Sequence, residues 1–242
     1  MPASIFRSRG HVLFSFVFVV VLVAGYLGYR WYESKGARSV MVLTYLRDPK
    51  GHTDWMMLAG QRCSQAPFSM PTNGFIGYLW DDSFRPGHRH QGLDIFGGGD
   101  LNQVPVVAAY PGYLTRLEDW KATVIIRIPE DPLKPGRQIW TYYTHLADPQ
   151  GNSFILPEFP SGTTEAFVEA GTLLGYQGNY SGDPFNPTGV HLHFSIVRDD
   201  GLGQFLNELE IDNTLDPSPY FGLLLNGSEN RGEIPLCIDE DP

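Results

Sequence analysis

From Pro71 onward the chain is a series of short apolar runs, rich in β-branched and aromatic residues and separated by turns built on glycine, proline and asparagine. This pattern restricts the fold more than any other feature of the sequence. The runs are Gly74 to Trp80, Val104 to Tyr110, Tyr113 to Leu117, Thr123 to Ile128, Ile139 to Leu146, Thr172 to Tyr176 and Val190 to Val197. Their length and punctuation predict strands, not helices. With 27 glycines and 19 prolines in 242 residues, long helices are disfavoured in this part, and only Gln204 to Ile211 has the character of a short one. The length suits one sizeable domain plus an appendage, on a soft prior of about 150 residues per domain. The expectation is a mainly β domain over residues 71–222.

The appendage is N-terminal. Residues 12–29 carry no charge, follow Arg7 and Arg9, and precede Arg30, Trp31 and Tyr32. As a helix they reach roughly 27 Å at 1.5 Å per residue, close to the ~30 Å hydrocarbon core of a bilayer. The arginine bias places residues 1–11 in the cytoplasm, and Trp31 and Tyr32 suit the far interface. The expectation is a single-pass signal anchor at 12–29 with an extracytoplasmic domain. A cleaved signal peptide and a secreted domain form the alternative, although the apolar run is long for one and no clear A-x-A site follows. Residues 30–70 mix charges with turn residues and read as a stalk, and residues 223–242 read as an acidic tail.

All 27 acidic residues follow Arg30, so the exported part is more acidic than the chain as a whole, whose net charge is −10. Such a surface disfavours nucleic acid as a partner, since that binding depends on lysine and arginine neutralising phosphates. The two cysteines, Cys63 and Cys237, both lie on the exported side, where a disulfide is permitted; two unpaired thiols are the other possibility. Neither belongs to a C-x-x-C pair, which argues against a cysteine zinc site.

Five of the seven histidines, His88, His90, His145, His191 and His193, fall within the domain. In His90-Gln-Gly-Leu-Asp94 an extended backbone puts His90 and Asp94 on one face and turns Leu93 and Ile95 to the other. The same parity in His191-Leu-His-Phe-Ser-Ile196 projects His191 and His193 together from an apolar strand. In Thr141-Tyr-Tyr-Thr-His-Leu146 it gives Tyr143 and His145 a common face. Imidazoles with one carboxylate are a ligand set that zinc prefers, and a catalytic zinc uses three protein ligands with a further position open to water. His88 shares parity with His90 but is a weaker candidate because of its longer spacing to Asp94.

On these motifs the sequence resembles the lysostaphin-like, LytM-type zinc metallopeptidases that cut peptidoglycan peptides. His90 to Asp94 meets the family pattern H-x-G-[hydrophobic]-D, Tyr143 to Leu146 meets Y-x-H-L, and His191 to Phe194 meets H-L-H-F. Between and after them, Gln103 to Leu114, Val168 to Gly175 and Asp216 to Tyr220 approximate further family stretches. The resemblance implies an antiparallel β-sandwich-like, duplicated hybrid motif domain with an open groove. It implies one zinc ion per chain on His90, Asp94 and His193, with His145 and His191 as the catalytic histidines. Tyr143 is a possible additional oxyanion or substrate contact. The zinc would activate a water, one histidine would serve as general base, and the substrate would be a peptidoglycan peptide. The connections 129–137, 147–167 and 179–190 depart from the family pattern and are expected to wall the groove. A catalytically silent domain of this fold, binding the wall or regulating division, is the alternative; a purely structural zinc site is a third reading.

Overall fold

A computed structural model describes residues 5–82, 87–223 and 232–237, with the side chains of 5–13 and 30–37 outside that description. The first four residues and most of the acidic tail therefore lie beyond it. A helix, α1, runs from Ile5 to Arg47, and ten strands follow: β1 (Phe75–Tyr78), β2 (Leu93–Phe96), β3 (Pro105–Val107), β4 (Gly112–Thr115), β5 (Val124–Ile128), β6 (Ile139–Thr144), β7 (Ala166–Val168), β8 (Leu173–Tyr176), β9 (Leu192–Arg198) and β10 (Thr214–Leu215). Each of the seven runs marked by the sequence overlaps a strand. The strands without such a run are β2, whose segment was read from its histidine motif, and the short β7 and β10.

The main sheet has the order β1-β2-β9-β6-β5-β4-β7, with β10 also paired to β9, and β3 and β8 form a separate ribbon. Every pairing is antiparallel. Alternation divides the main sheet into two faces. Leu93, Ile95, Leu114, Val124, Ile126, Tyr143, Leu192, Phe194 and Ile196 join the large core, together with Val106 and Leu174 of the ribbon. Burying one such side chain contributes about 1.5–3 kcal/mol, so this face sets the register of the whole sheet.

The opposite face has two smaller apolar patches with a gap between them. At one end Val42 and Tyr45 of α1 pack on Phe75 and Phe96. At the other, Ile125, Trp140 and Val197 are covered by Trp120, Phe205 and Leu206. That second cover explains why Gln204 to Ile211 is not an α-helix. Asp199 accepts hydrogen bonds from the N–H groups of Gly201 and Gly203, and Phe205 bridges back to Asp199, so tertiary contacts hold the segment as a turn.

Residues 38–70 also pack against the domain. Arg38, Val42, Tyr45, Met57, Cys63, Phe68 and Met70 are buried, and Cys63 is joined to Cys237 across 174 residues of sequence. The part of α1 before this docked end is different in kind, since all side chains from Phe14 to Tyr29 are exposed. Among the described residues no helix is long and apolar enough to cross a membrane. Val12 and Leu13, where the expected span begins, lie outside the described side chains.

Candidate metal centre

The gap between the two apolar patches is a groove of about 520 Å³, and His90, Asp94, His145, His191 and His193 all line it. Strand pairing places the first members: Asp94 on β2 stands directly opposite His193 on β9, which in turn stands opposite Thr144 on β6. Leu93, Leu192 and Phe194 face the core, so the polar residues between them must face the groove. Gly92 is required here, because a Cβ at that position would overlap the Phe194 carbonyl on the neighbouring strand.

His90 Nε2, Asp94 Oδ1 and His193 Nδ1 form a closed triangle. The His90–Asp94 and His90–His193 separations are each 3.0 Å, and His193–Asp94 is 2.8 Å. The outer nitrogen of each imidazole is committed elsewhere. His90 Nδ1 lies 2.9 Å from the Leu79 carbonyl, which can only accept, so this nitrogen donates. His193 Nε2 lies 2.9 Å from a Glu208 carboxylate oxygen and likewise donates. With both rings neutral, the three inward atoms are all acceptors aimed at one point in a buried setting. That arrangement is repulsive unless a proton or a cation occupies the point. Its edges are somewhat shorter than the about 3.3 Å expected for tetrahedral ligands with bonds of about 2.0–2.1 Å, and the N, N, O donor set is one zinc accepts. The residues therefore fit a metal ion, and they satisfy the pattern in which each ligating histidine is oriented by an outer acceptor.

The electrostatics agree with a charged centre. Burial alone would raise the Asp94 carboxyl, but His90 and His191 outweigh it and hold the group well below the usual carboxylate range. Burial disfavours the His193 imidazolium, yet Glu208 and Asp94 on its two nitrogens push it up to about 10. Glu208 is itself desolvated, and the charge and hydrogen bond of His193 still hold it below its ordinary value.

His145 and His191 sit beside the triangle with ring centroids 4.6 Å apart. His145 Nδ1 donates to the Tyr180 carbonyl at 2.6 Å and His191 Nδ1 to the Gly189 carbonyl at 2.7 Å. Their Nε2 atoms are left as acceptors, and that of His191 lies 3.4 Å from Asp94 Oδ1. Phe96 stacks on the His191 ring at 5.0 Å. Burial, and then His191 and His193, push His145 down to about 3, which keeps it neutral.

Tyr143 is not in the groove. It is fully buried in the core, its ring lies against Phe194, and its hydroxyl accepts the Ala109 N–H at 2.9 Å. The shared parity with His145 fails because His145 has φ of +71°, a left-handed conformation uncommon outside glycine. That residue ends β6 and turns its side chain to the groove beside Thr144, leaving Tyr143 on the other face. Gly178 completes the turn, since a Cβ there would overlap the carbonyls of His145 and Ala147. Strained backbone of this kind clusters at functional sites. Glu208 was not among the sequence candidates. It lies in the connection after β9, where no local pattern marks it.

No sequence-family model and no curated protein matches the chain. Solved structures to which it is similar include a candidate M23 peptidase from Pseudomonas aeruginosa, at 20% identity and a TM-score of 0.38, with 73% of this chain and 60% of that one covered. A second is a point mutant of the catalytic domain of a prophage-encoded M23 protein from Enterococcus faecalis, at 21% identity and a TM-score of 0.36, with 62% of this chain and 95% of that one covered. A third is a candidate glycyl-glycine endopeptidase of LytM type from Ruminococcus gnavus, at 24% identity and a TM-score of 0.35, with 57% and 47% covered. The chain thus spans less than two thirds of the first and third of these proteins, and all three overlaps are partial.

Proposed function

We propose that the chain is a membrane-anchored zinc metalloendopeptidase that hydrolyses peptide bonds in bacterial cell-wall peptidoglycan. The observation that carries the reading is the convergence of His90 Nε2, Asp94 Oδ1 and His193 Nδ1 on one point, with His145 and His191 presenting acceptor nitrogens to the same groove. A bound zinc ion would supply Lewis-acid polarisation of a carbonyl and acidification of a water at that point. The histidines supply the proton handling. Backbone carbonyls fix both rings with Nδ1 protonated, so each begins as an acceptor and either can take the proton of an attacking water. The ring so charged then donates to the developing oxyanion or the departing amine. The peptidoglycan assignment rests on the resemblance in the order and spacing of the histidine motifs.

Anchoring is supported by the uncharged run at 12–29, the arginine bias around it, and the exposed apolar side chains from Phe14 to Tyr29. On this reading the domain is extracytoplasmic, and the chain should fractionate with membranes after alkaline carbonate washing; release into the supernatant would overturn the anchor. Catalysis is tested by incubating the full chain, in detergent, with purified peptidoglycan. New amine termini should appear with zinc and vanish with a chelator or in His193→Ala. His145→Ala and His191→Ala should keep zinc but lose about 10²–10⁴-fold in rate. Stoichiometric zinc with no new amine termini would instead point to a silent, wall-binding domain.

A further inference from the structure

The docked end of α1 reaches the metal centre through a short series of contacts that the proposed chemistry does not use. Arg38 is buried at 2% exposure, and among the described residues none of its guanidinium nitrogens has a hydrogen-bond partner. Among the described residues the Asp82 carboxylate lies 3.9 Å from it, and Glu233 supplies a further opposite charge. Asp82 belongs to the turn that holds His90. Its carboxylate accepts the Leu79 N–H at 2.7 Å, and its carbonyl accepts the His90 N–H at 2.8 Å. The Leu79 carbonyl receives both the Asp82 N–H, at 3.1 Å, and His90 Nδ1–H, at 2.9 Å. Between them Asp81 adopts φ of +67°, a left-handed conformation that aspartate tolerates and that closes the turn. Asp82 cannot shift without moving the backbone and the ring of His90.

Two further contacts join the same helix segment to the groove. Ser39 and Tyr78 share a hydrogen bond at 3.0 Å, and Tyr78 lies edge-on to His90 with ring centroids 6.3 Å apart. Val42 and Tyr45 pack on Phe96, which stacks on His191. On its far side the segment is closed by residues 232–237, where Ile234 joins the same apolar cluster and the disulfide holds Cys237 to Cys63.

We propose that Arg38 is a positioning residue for the metal centre, acting through Asp82 and Leu79 to set the orientation of His90. The docked end of α1 is then part of the site's scaffold and not a stalk. A buried charge that makes no hydrogen bond among the described residues, with Asp82 and Glu233 as its counter-charges, is a poor source of stability. Its location is explained if it pins the turn. The inference rests on the reading of His90, Asp94 and His193 as metal ligands.

The test compares wild-type full chain in detergent with Arg38→Met and Arg38→Lys. Zinc affinity is measured by competition with a chelator, the cobalt-substituted protein by its visible absorption, and fold by the melting temperature of the metal-free protein. Loss of an outer partner typically weakens metal binding by 10–100-fold. The expected result is about tenfold weaker zinc binding and a changed cobalt spectrum in Arg38→Met, with both restored in Arg38→Lys. If Arg38→Met does not fold, the double variant Arg38→Met with Asp82→Asn leaves no lone buried charge and carries the same comparison. A lowered metal-free melting temperature with unchanged zinc affinity and cobalt spectrum would overturn the inference and leave the metal centre standing. Absence of zinc binding by the wild type overturns both.

Discussion

At the scale of single residues, the centre depends on which nitrogen of each imidazole carries the proton. Glu208 settles this for His193 by accepting its Nε2–H at 2.9 Å, and it adds a second negative charge beside the metal position. Glu208→Gln retains an acceptor oxygen but loses that charge, so zinc affinity should fall about tenfold while the domain stays folded, as read by chelator competition and circular dichroism. Tyr143 offers the opposite case. Its hydroxyl accepts the Ala109 N–H inside the core, so Tyr143→Phe should cost about 1–3 kcal/mol of stability in urea unfolding and leave peptidoglycan cleavage unchanged. His90, Asp94, His191 and His193 were legible in the sequence because alternation in a strand is a local rule, and His145 was picked out by the Y-x-H-L motif. Tyr143 was misplaced by the same rule, because the left-handed backbone at His145 interrupts it.

At the scale of elements, what opens the groove is the separation of two covers on one face of the sheet. The connection after β9 supplies one of them and also delivers Glu208, and Asp199 organises its start. The Asp199 carboxylate accepts hydrogen bonds from Gln138, Trp140, Gly201 and Gly203. Burial would raise its pKa, but these donors outweigh burial and lower it. A carboxylate with a depressed folded-state pKa contributes stability above its unfolded value of about 3.9, and this is lost as pH falls through the folded value. The wild type should therefore be more resistant to urea than Asp199→Asn at neutral pH, and the gap should narrow below about pH 4. Equal midpoints at pH 7 would remove this role. The strands were legible from their short, punctuated runs. The turn at residues 204–211 was not, because Phe205 and Leu206 are held by Trp140 and Val197 rather than by their own propensity.

At the scale of the whole molecule, the chain is closed on itself. The Cys63–Cys237 disulfide spans 174 residues and brings 232–237 against the helix end that supports the groove. Replacing both cysteines with serine should lower stability by about 2–4 kcal/mol and expose the C-terminal segment to proteases, as measured by urea unfolding and limited digestion. Composition and pattern determined that this is a sheet-rich domain behind an apolar N-terminal run. They also picked out the five polar residues that meet in the groove, because strand parity and motif spacing act over a few neighbouring residues. Only the tertiary structure decided the partner of the two cysteines, the carboxylate on His193, the core position of Tyr143 and the docking of Arg38 beside the turn that holds His90. Each of these joins segments by packing, hydrogen bonding or a covalent bridge, or turns on a backbone conformation that packing imposes. Such terms depend on which surfaces meet, and no local pattern in the chain records that.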